Sequence, residues 1–308
     1  MYHELRKRGT SAAAAIRGGT IACITLAGLL LGTGEARVAD LLGTAPTYAS
    51  RVLGPVPNEQ AITRRIWAPG LDDGYVPQGL AVVGGALYVA SYRSVDVKQD
   101  RGPCRVFRID MTSGATTGTL DLPAGCGHAG GLARGSAGRL FAVDTREVYD
   151  IELTPGPGLG RVARTIKLLG KVKGSFAAGS ADALWLGSYA SEPGAKIFKI
   201  PFAVLKSEVA EADATQVLTL PTAAQGAAFD AAGRLWITRS TSRFGELHRL
   251  DPASGATQAQ YAMAIGVEDL SFDADGGLWT VSEAGSRRWL RWDTFFPVVF
   301  RLDPAKLR

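Results

Sequence analysis

The chain has 308 residues, 46% hydrophobic and 20% charged, with 38 Gly and 15 Pro. This composition is too apolar for a disordered polypeptide and rich in turn residues. The net charge of +5 and the odd count of three Cys both include an N-terminal segment that is expected to be removed from the folded protein.

Arg6, Lys7, Arg8 and Arg17 precede an apolar run over residues 20–31, and the small residues Gly32, Gly34 and Ala36 follow it. That order predicts a secretory signal over residues 1–36, cleaved after Ala36. The run is shorter than the roughly 18 residues that read as a membrane span; an uncleaved signal anchor is the alternative. Without residues 1–36 the net charge falls to +3, because four basic residues leave with Glu4 and Glu35. Such a weak charge, with no basic run interleaved with aromatics, argues against a nucleic-acid partner. Cys23 leaves too, and Cys104 and Cys126 are expected to pair in an oxidising compartment. The expectation is a periplasmic or secreted monomer with no membrane span after cleavage. Residues 37–61 read as a leader crossing the surface of a domain over 62–308.

From residue 78 onwards a repeat dominates. QGLAVVGGALYVASY (78–92), GGLARGSAGRLFAVDT (130–145), GSFAAGSADALWLGSY (174–189), QGAAFDAAGRLWITRS (225–240) and EDLSFDADGGLWTVSE (268–283) share one pattern. Each is a small-residue start, a short apolar strand, a Gly- or Asp-containing turn, and a strand centred on Leu plus an aromatic. With Gly79, Gly131, Ser175, Gly226 and Asp269 as equivalents, the steps are 52, 44, 51 and 43 residues, the size of a four-stranded propeller blade. Third strands alternating at period two follow at 104–110, 147–153, 195–200, 246–251 and 298–303. Outer strands follow at 117–123, 164–170, 216–221 and 259–265. The fifth unit ends at Arg308 with no outer strand, and TRRIWAP (63–69) has no inner partner of its own. The segment is therefore expected to close the ring as the outer strand of the fifth blade. The predicted fold is all-β, a five-bladed β-propeller closed by an N-terminal strand, with six blades as the alternative.

In such a ring the loops entering the inner strands and those leaving the second strands open on one face. The loops on the other face, such as DAAGR (230–234) and DADGG (273–277), are generic turns, so the individual residues of the first face form the candidate site. A ligand-binding funnel is expected from Gln78, Tyr92, Asp144, Lys173, Tyr189, Gln225, Arg239, Glu283 and Trp289. Its occupant would be a small molecule or a protein ligand at the channel mouth. His128, among small neighbours that let the backbone approach the axis, reads as a general base or ligand-binding imidazole, or equally as a loop-bracing His beside the disulfide. Glu268 is a candidate catalytic acid. Glu268 and Asp269 are candidate ligands for a divalent cation such as calcium, which wants several oxygens; pairing with Lys173, Arg93 or Arg239 is the competing reading. No Cys and His spacing suggests zinc. The insert at 284–297, with Arg287, Arg288, Trp289, Arg291 and Trp292, reads either as a basic and aromatic lip or as packing over the blade junction. Strings such as GPGLGR (156–161) lack a following helix and carry no phosphate-binding meaning.

The units DAAGRLWITRS…ELHRLDPASGA and DADGGLWTVSEA resemble the repeats of NHL, streptogramin-lyase-like and SMP-30/gluconolactonase-like propellers. The resemblance covers about residues 76–304. It implies a propeller fold with six or seven blades and, in the gluconolactonase-like enzymes, a channel metal acting on lactones or esters. Those enzymes hold the metal with a Glu, Asn residues and the Asp of a Pro-Asp-Gly at inner-strand entry. Here the matching tripeptide is Ala224-Gln225-Gly226, no Asn stands at another entry, and Glu268 alone fits an acidic ligand. The lyase-like enzymes use channel His and Glu residues, for which this chain offers His128. A metal-dependent hydrolase or lyase is thus the alternative to a binding propeller.

Overall fold

The computed structural model describes residues 40–48, 52–136, 138–156 and 158–308; the signal segment expected over 1–36 lies outside them. Four sheets each follow the chain from inner to outer strand. Blade 1 is Tyr75–Val83, Ala86–Arg93, Cys104–Ile109 and Thr116–Asp121. Blade 2 is Gly131–Arg134, Arg139–Asp144, Glu147–Leu153 and Gly160–Leu168, with Glu208–Val209 added in parallel at its edge. Blade 3 is Phe176–Gly179, Ala183–Gly187, Lys196–Pro201 and Gln216–Thr219. Blade 4 is Ala224–Phe229, Leu235–Ser240, Gly245–Leu250 and Thr257–Met263.

Blade 5 takes its first three strands from the C-terminal part, Val267–Phe272, Leu278–Ser282 and Val298–Leu302, and its fourth, Ile62–Trp67, from the other end. The last pair is antiparallel, with Arg65 opposite Phe300 and Ile66 opposite Val299, so the ring has five blades and closes as the terminal strands predict. Leu41–Leu42 of the leader runs parallel along the outside of the closing strand, an edge strand that two residues are too few to announce in the sequence.

A single twisted four-stranded sheet has two apolar faces and needs a neighbour on each. The apolar residues accordingly gather into five clusters, one in every gap between adjacent blades. The gap between blades 5 and 1 joins Leu80, Leu87 and Val89 to Trp279, Val281 and Val299 and includes Ile66 of the closing strand. The ring thereby ties its two ends through burial as well as hydrogen bonds.

At the axis the inner strands touch backbone to backbone. A Cβ on Gly131 would lie 2.6 Å from the Phe176 Cα, and one on Gly226 would lie 2.4 Å from the Asp269 Cα. That approach explains the small residues at equivalent positions of the repeat. The turns on one face are braced by side chains: Asp230 and Asp273 each accept from a following backbone N–H and from the indole of Trp236 or Trp279. Among the described residues no helix is long and apolar enough to cross a membrane.

Candidate functional site

The opposite face carries a pit of about 500 Å³ at the ring axis. Three of its polar side chains sit on irregularities at inner-strand entry. The pairing register slips between Pro77 and Gly79, between Ala224 and Gly226, and between Val267 and Leu270. These bulges place Gln78, Gln225 and Glu268 at the pit, as bulges commonly re-aim a side chain beside a functional site. Blades 2 and 3 contribute the small residues Gly130, Gly174 and Ser175 instead, which leaves room on that side. Second-strand ends supply Tyr92, Asp144, Thr145, Tyr189 and Glu283, and the insert of blade 5 supplies Arg288 and Trp289.

Two of the acidic residues lining the pit, Glu268 and Glu283, are buried without a cationic partner among the described residues. Glu268 is 1% and Glu283 8% exposed. Gln225 Nε2 donates to Glu268 Oε1 at 3.1 Å. Trp289 Nε1 and Gln78 Nε2 donate to Glu283 Oε2 at 2.7 and 2.9 Å. Burial pushes the Glu268 carboxyl well above the usual carboxylate range, and the charges of Glu283 and Asp269 push it further. Burial also raises Glu283, to about 7, against the lowering pull of Trp289, Arg288 and Gln78. Burial thus favours the neutral form of both carboxyls.

His128 lies at the other end of the Gln78 side chain. Both ring nitrogens face oxygens that only accept, Nδ1 the Asp100 carbonyl and Nε2 the Gln78 Oε1, each at 2.9 Å, so the two hydrogen bonds form together only in the doubly protonated imidazolium. The ring stacks on Tyr92 at 4.5 Å between centroids. Burial lowers its pKa, partly offset by the Asp100 carbonyl and the Asp144 carboxylate. Gln78 thus lies between the imidazole and Glu283, donating to Glu283 through Nε2 and facing His128 with its Oε1. Asp144 shapes the loop beneath: it accepts from the backbone of Gly127 at 2.9 Å and His128 at 3.1 Å, and from Arg101 Nη2 at 3.1 Å. Ala129, next to His128, has a left-handed backbone with φ of 50°, costly for a residue with a Cβ. The Cys104–Cys126 disulfide ties the same loop to the third strand of blade 1, so loop bracing and pit lining are both done by residues around His128.

Arg288 Nη1 donates to the Tyr92 hydroxyl, Nη2 to the Val97 carbonyl at 3.2 Å, and the guanidinium lies 4.3 Å from the Trp289 ring centre. Trp289 stacks in turn on Trp292 at 4.8 Å. The insert therefore acts both as packing and as one wall of the pit.

Three expected residues fall elsewhere. Arg239 stands directly across from Glu246 on the neighbouring strand and bonds to it and to Thr222. Lys173 is exposed and outside the lining. Asp269 does not come together with Glu268 as a cation site: adjacent strand residues point to opposite sides, and Asp269 Oδ2 accepts from the Leu80 and Leu132 backbone at 3.0 and 2.8 Å. It braces the axis as a fully buried carboxyl whose pKa burial raises against the pull of those amides. Among the described residues no three His, Cys, Asp or Glu side chains gather as a metal site, so the residues present do not fit a hard cation needing six or more oxygens. Asp100, reaching His128 through its carbonyl, had no signal in the repeat because it lies in a loop between blade strands.

A five-bladed propeller with a polar pit at its axis is the class that this geometry defines. No protein-family profile and no curated protein matches the sequence. Among solved structures the fold is similar to a glutaminyl cyclase from Myxococcus xanthus, at 12% identity over 79% of this chain and 94% of that one, with a TM-score of 0.54. A PQQ-bound aldose sugar dehydrogenase from Streptomyces coelicolor matches at 16% identity, 74% and 94% coverage, and a TM-score of 0.48. The likeness to the cyclase is of fold alone, and it accords with the propeller resemblance read from the repeats.

Proposed function

We propose that this protein binds a small polar molecule in the pit of its propeller and works outside the cytoplasm. The observation that carries the reading is the pair Glu268 and Glu283, buried in the wall of an open pit with neutral hydrogen-bonding partners only. Burying two carboxyls that stabilise nothing by ion pairing costs several kcal/mol, a cost that a ligand-binding or proton-transferring site accounts for. A small molecule is favoured over a protein partner because the polar groups lie inside the pit, while only Tyr189 at its mouth is a large exposed hydrophobic residue of the lining. Metal-dependent hydrolysis of the gluconolactonase kind has less support, since Asp269 is spent on inner-strand amides. Export is supported by the signal pattern of residues 1–36 and by the disulfide.

The test is a thermal-shift screen of the purified protein against small neutral, anionic and cationic compounds, repeated with Gln225→Leu and Gln78→Leu. The reading expects stabilising compounds whose effect drops at least by half in one of these variants. Stabilisation that both variants retain in full would move the site away from the pit.

A further inference from the structure

Resting on the pit as a small-molecule site, we propose that its ligand is a small primary amine that also carries an acceptor oxygen. The two donors to Glu283 converge on one oxygen, Oε2, and leave Oε1 without a hydrogen bond among the described residues. Gln225 gives its Nε2 to Glu268 Oε1, leaving Glu268 Oε2 and its own Oε1 unengaged. The pit thus offers three oxygens, and a bound cation would draw both carboxyls into the ionised, purely accepting form that burial alone disfavours. An ammonium has three N–H donors and one positive charge, and it supplies the counter-charge that the buried pair lacks. A quaternary ammonium has no N–H to give, and a neutral hydroxyl has one. The rings of Tyr92 and Trp289 in the same wall favour a cation further.

A second observation sets the other end of the ligand. Arg288 is 7% exposed, lines the pit, and keeps a buried Nε–H with no acceptor. Of its five N–H groups, one on Nη1 goes to Tyr92 and one on Nη2 to Val97, and none is bonded to Glu268 or Glu283 among the described residues. A carbonyl oxygen on the ligand would meet one of the donors left over. The volume of about 500 Å³ restricts the occupant to a small compound.

Three probes separate the parts of this claim in calorimetric titrations at pH 7.5: L-phenylalaninamide, phenyllactamide with a hydroxyl in place of the ammonium, and phenethylamine without the carboxamide. L-Phenylalaninamide should bind at least about tenfold more tightly than phenyllactamide, as a charge-assisted hydrogen bond predicts, and a few-fold more tightly than phenethylamine. Glu268→Gln, folded by circular dichroism, should bring the first two within about twofold of one another. If that variant does not fold, Gln225→Leu should show the same loss of preference. Equal binding of phenyllactamide and L-phenylalaninamide, or a preference that survives in the folded variant, would overturn the amine assignment, as would pit binding by neutral or anionic compounds alone; in each case the pit remains a small-molecule site. If no compound of any charge binds in the pit, the small-molecule reading falls and takes the amine with it.

Discussion

Replacing Glu283 by Gln keeps the side chain's size and its acceptor for Trp289 and Gln78 while removing the charge. In the native protein burial lifts this carboxyl from its ordinary 4.5 to about 7. Because the folded state holds the proton more tightly than the unfolded chain, the favourable contribution is fully present below pH 4.5 and disappears as pH rises through 7. The loss amounts to about 3 kcal/mol by pH 8. The Glu283 charge also raises Glu268, so Glu283→Gln relieves that carboxyl in the same direction. The variant should match the native protein at pH 4 and exceed it at pH 8 by about 3 kcal/mol, roughly 6–12 °C in melting temperature for a domain of this size. Thermal melts of both proteins in steps from pH 4 to 9 give the difference curve, which should rise between about pH 4.5 and 7 and level off above 7. Superimposable curves, or a variant less stable than the native protein at pH 8, would refute the claim that Glu283 is an uncompensated buried acid.

Three further substitutions probe the scaffold. Ile66→Ala in the closing strand, where Ile66 is 0% exposed between blades 5 and 1, should cost about 2–4 kcal/mol in urea unfolding; a cost below about 0.5 kcal/mol would mean that the strand does not seal the ring. Gly131→Ala brings a Cβ to 2.6 Å from the backbone of blade 3 and should lower the melting temperature by several degrees or prevent folding, whereas a native melt would contradict the close contact at the axis. Replacing Cys104 and Cys126 together by Ser opens a link over a sequence separation of 22 and should cost about 3 kcal/mol, read from denaturant midpoints of oxidised native protein and variant; unchanged midpoints would contradict the bracing of the His128 loop.

The blade architecture is legible in the sequence because each period repeats one strand–turn–strand unit, and because the absent fifth outer strand and the unpartnered TRRIWAP segment answer each other. The pit is legible to the extent that it follows from strand ends: Gln78, Tyr92, His128, Asp144, Tyr189, Gln225, Glu268, Glu283 and Trp289 all line it. What strand position alone does not convey is side-chain direction. Arg239 ends a second strand like Asp144, yet the residue across from it, Glu246, holds it by an ion pair. Asp269 follows Glu268, and alternation turns it to the axis amides. Asp100 and Arg288 enter from irregular loops whose course no periodicity fixes, and their place depends on tertiary contacts with His128 and Tyr92.

The most direct test of the pit as a binding site is the indole ¹⁵N–¹H spectrum during titration with a stabilising compound. The Trp289 indole donates to Glu283 in the pit, whereas those of Trp185, Trp236 and Trp279 donate to turn residues Ser180, Asp230 and Asp273 on the other face. A saturable shift of the Trp289 signal, with those three unmoved, is the predicted result. Saturable binding that leaves Trp289 in place, or that shifts the turn-face indoles instead, would contradict the account.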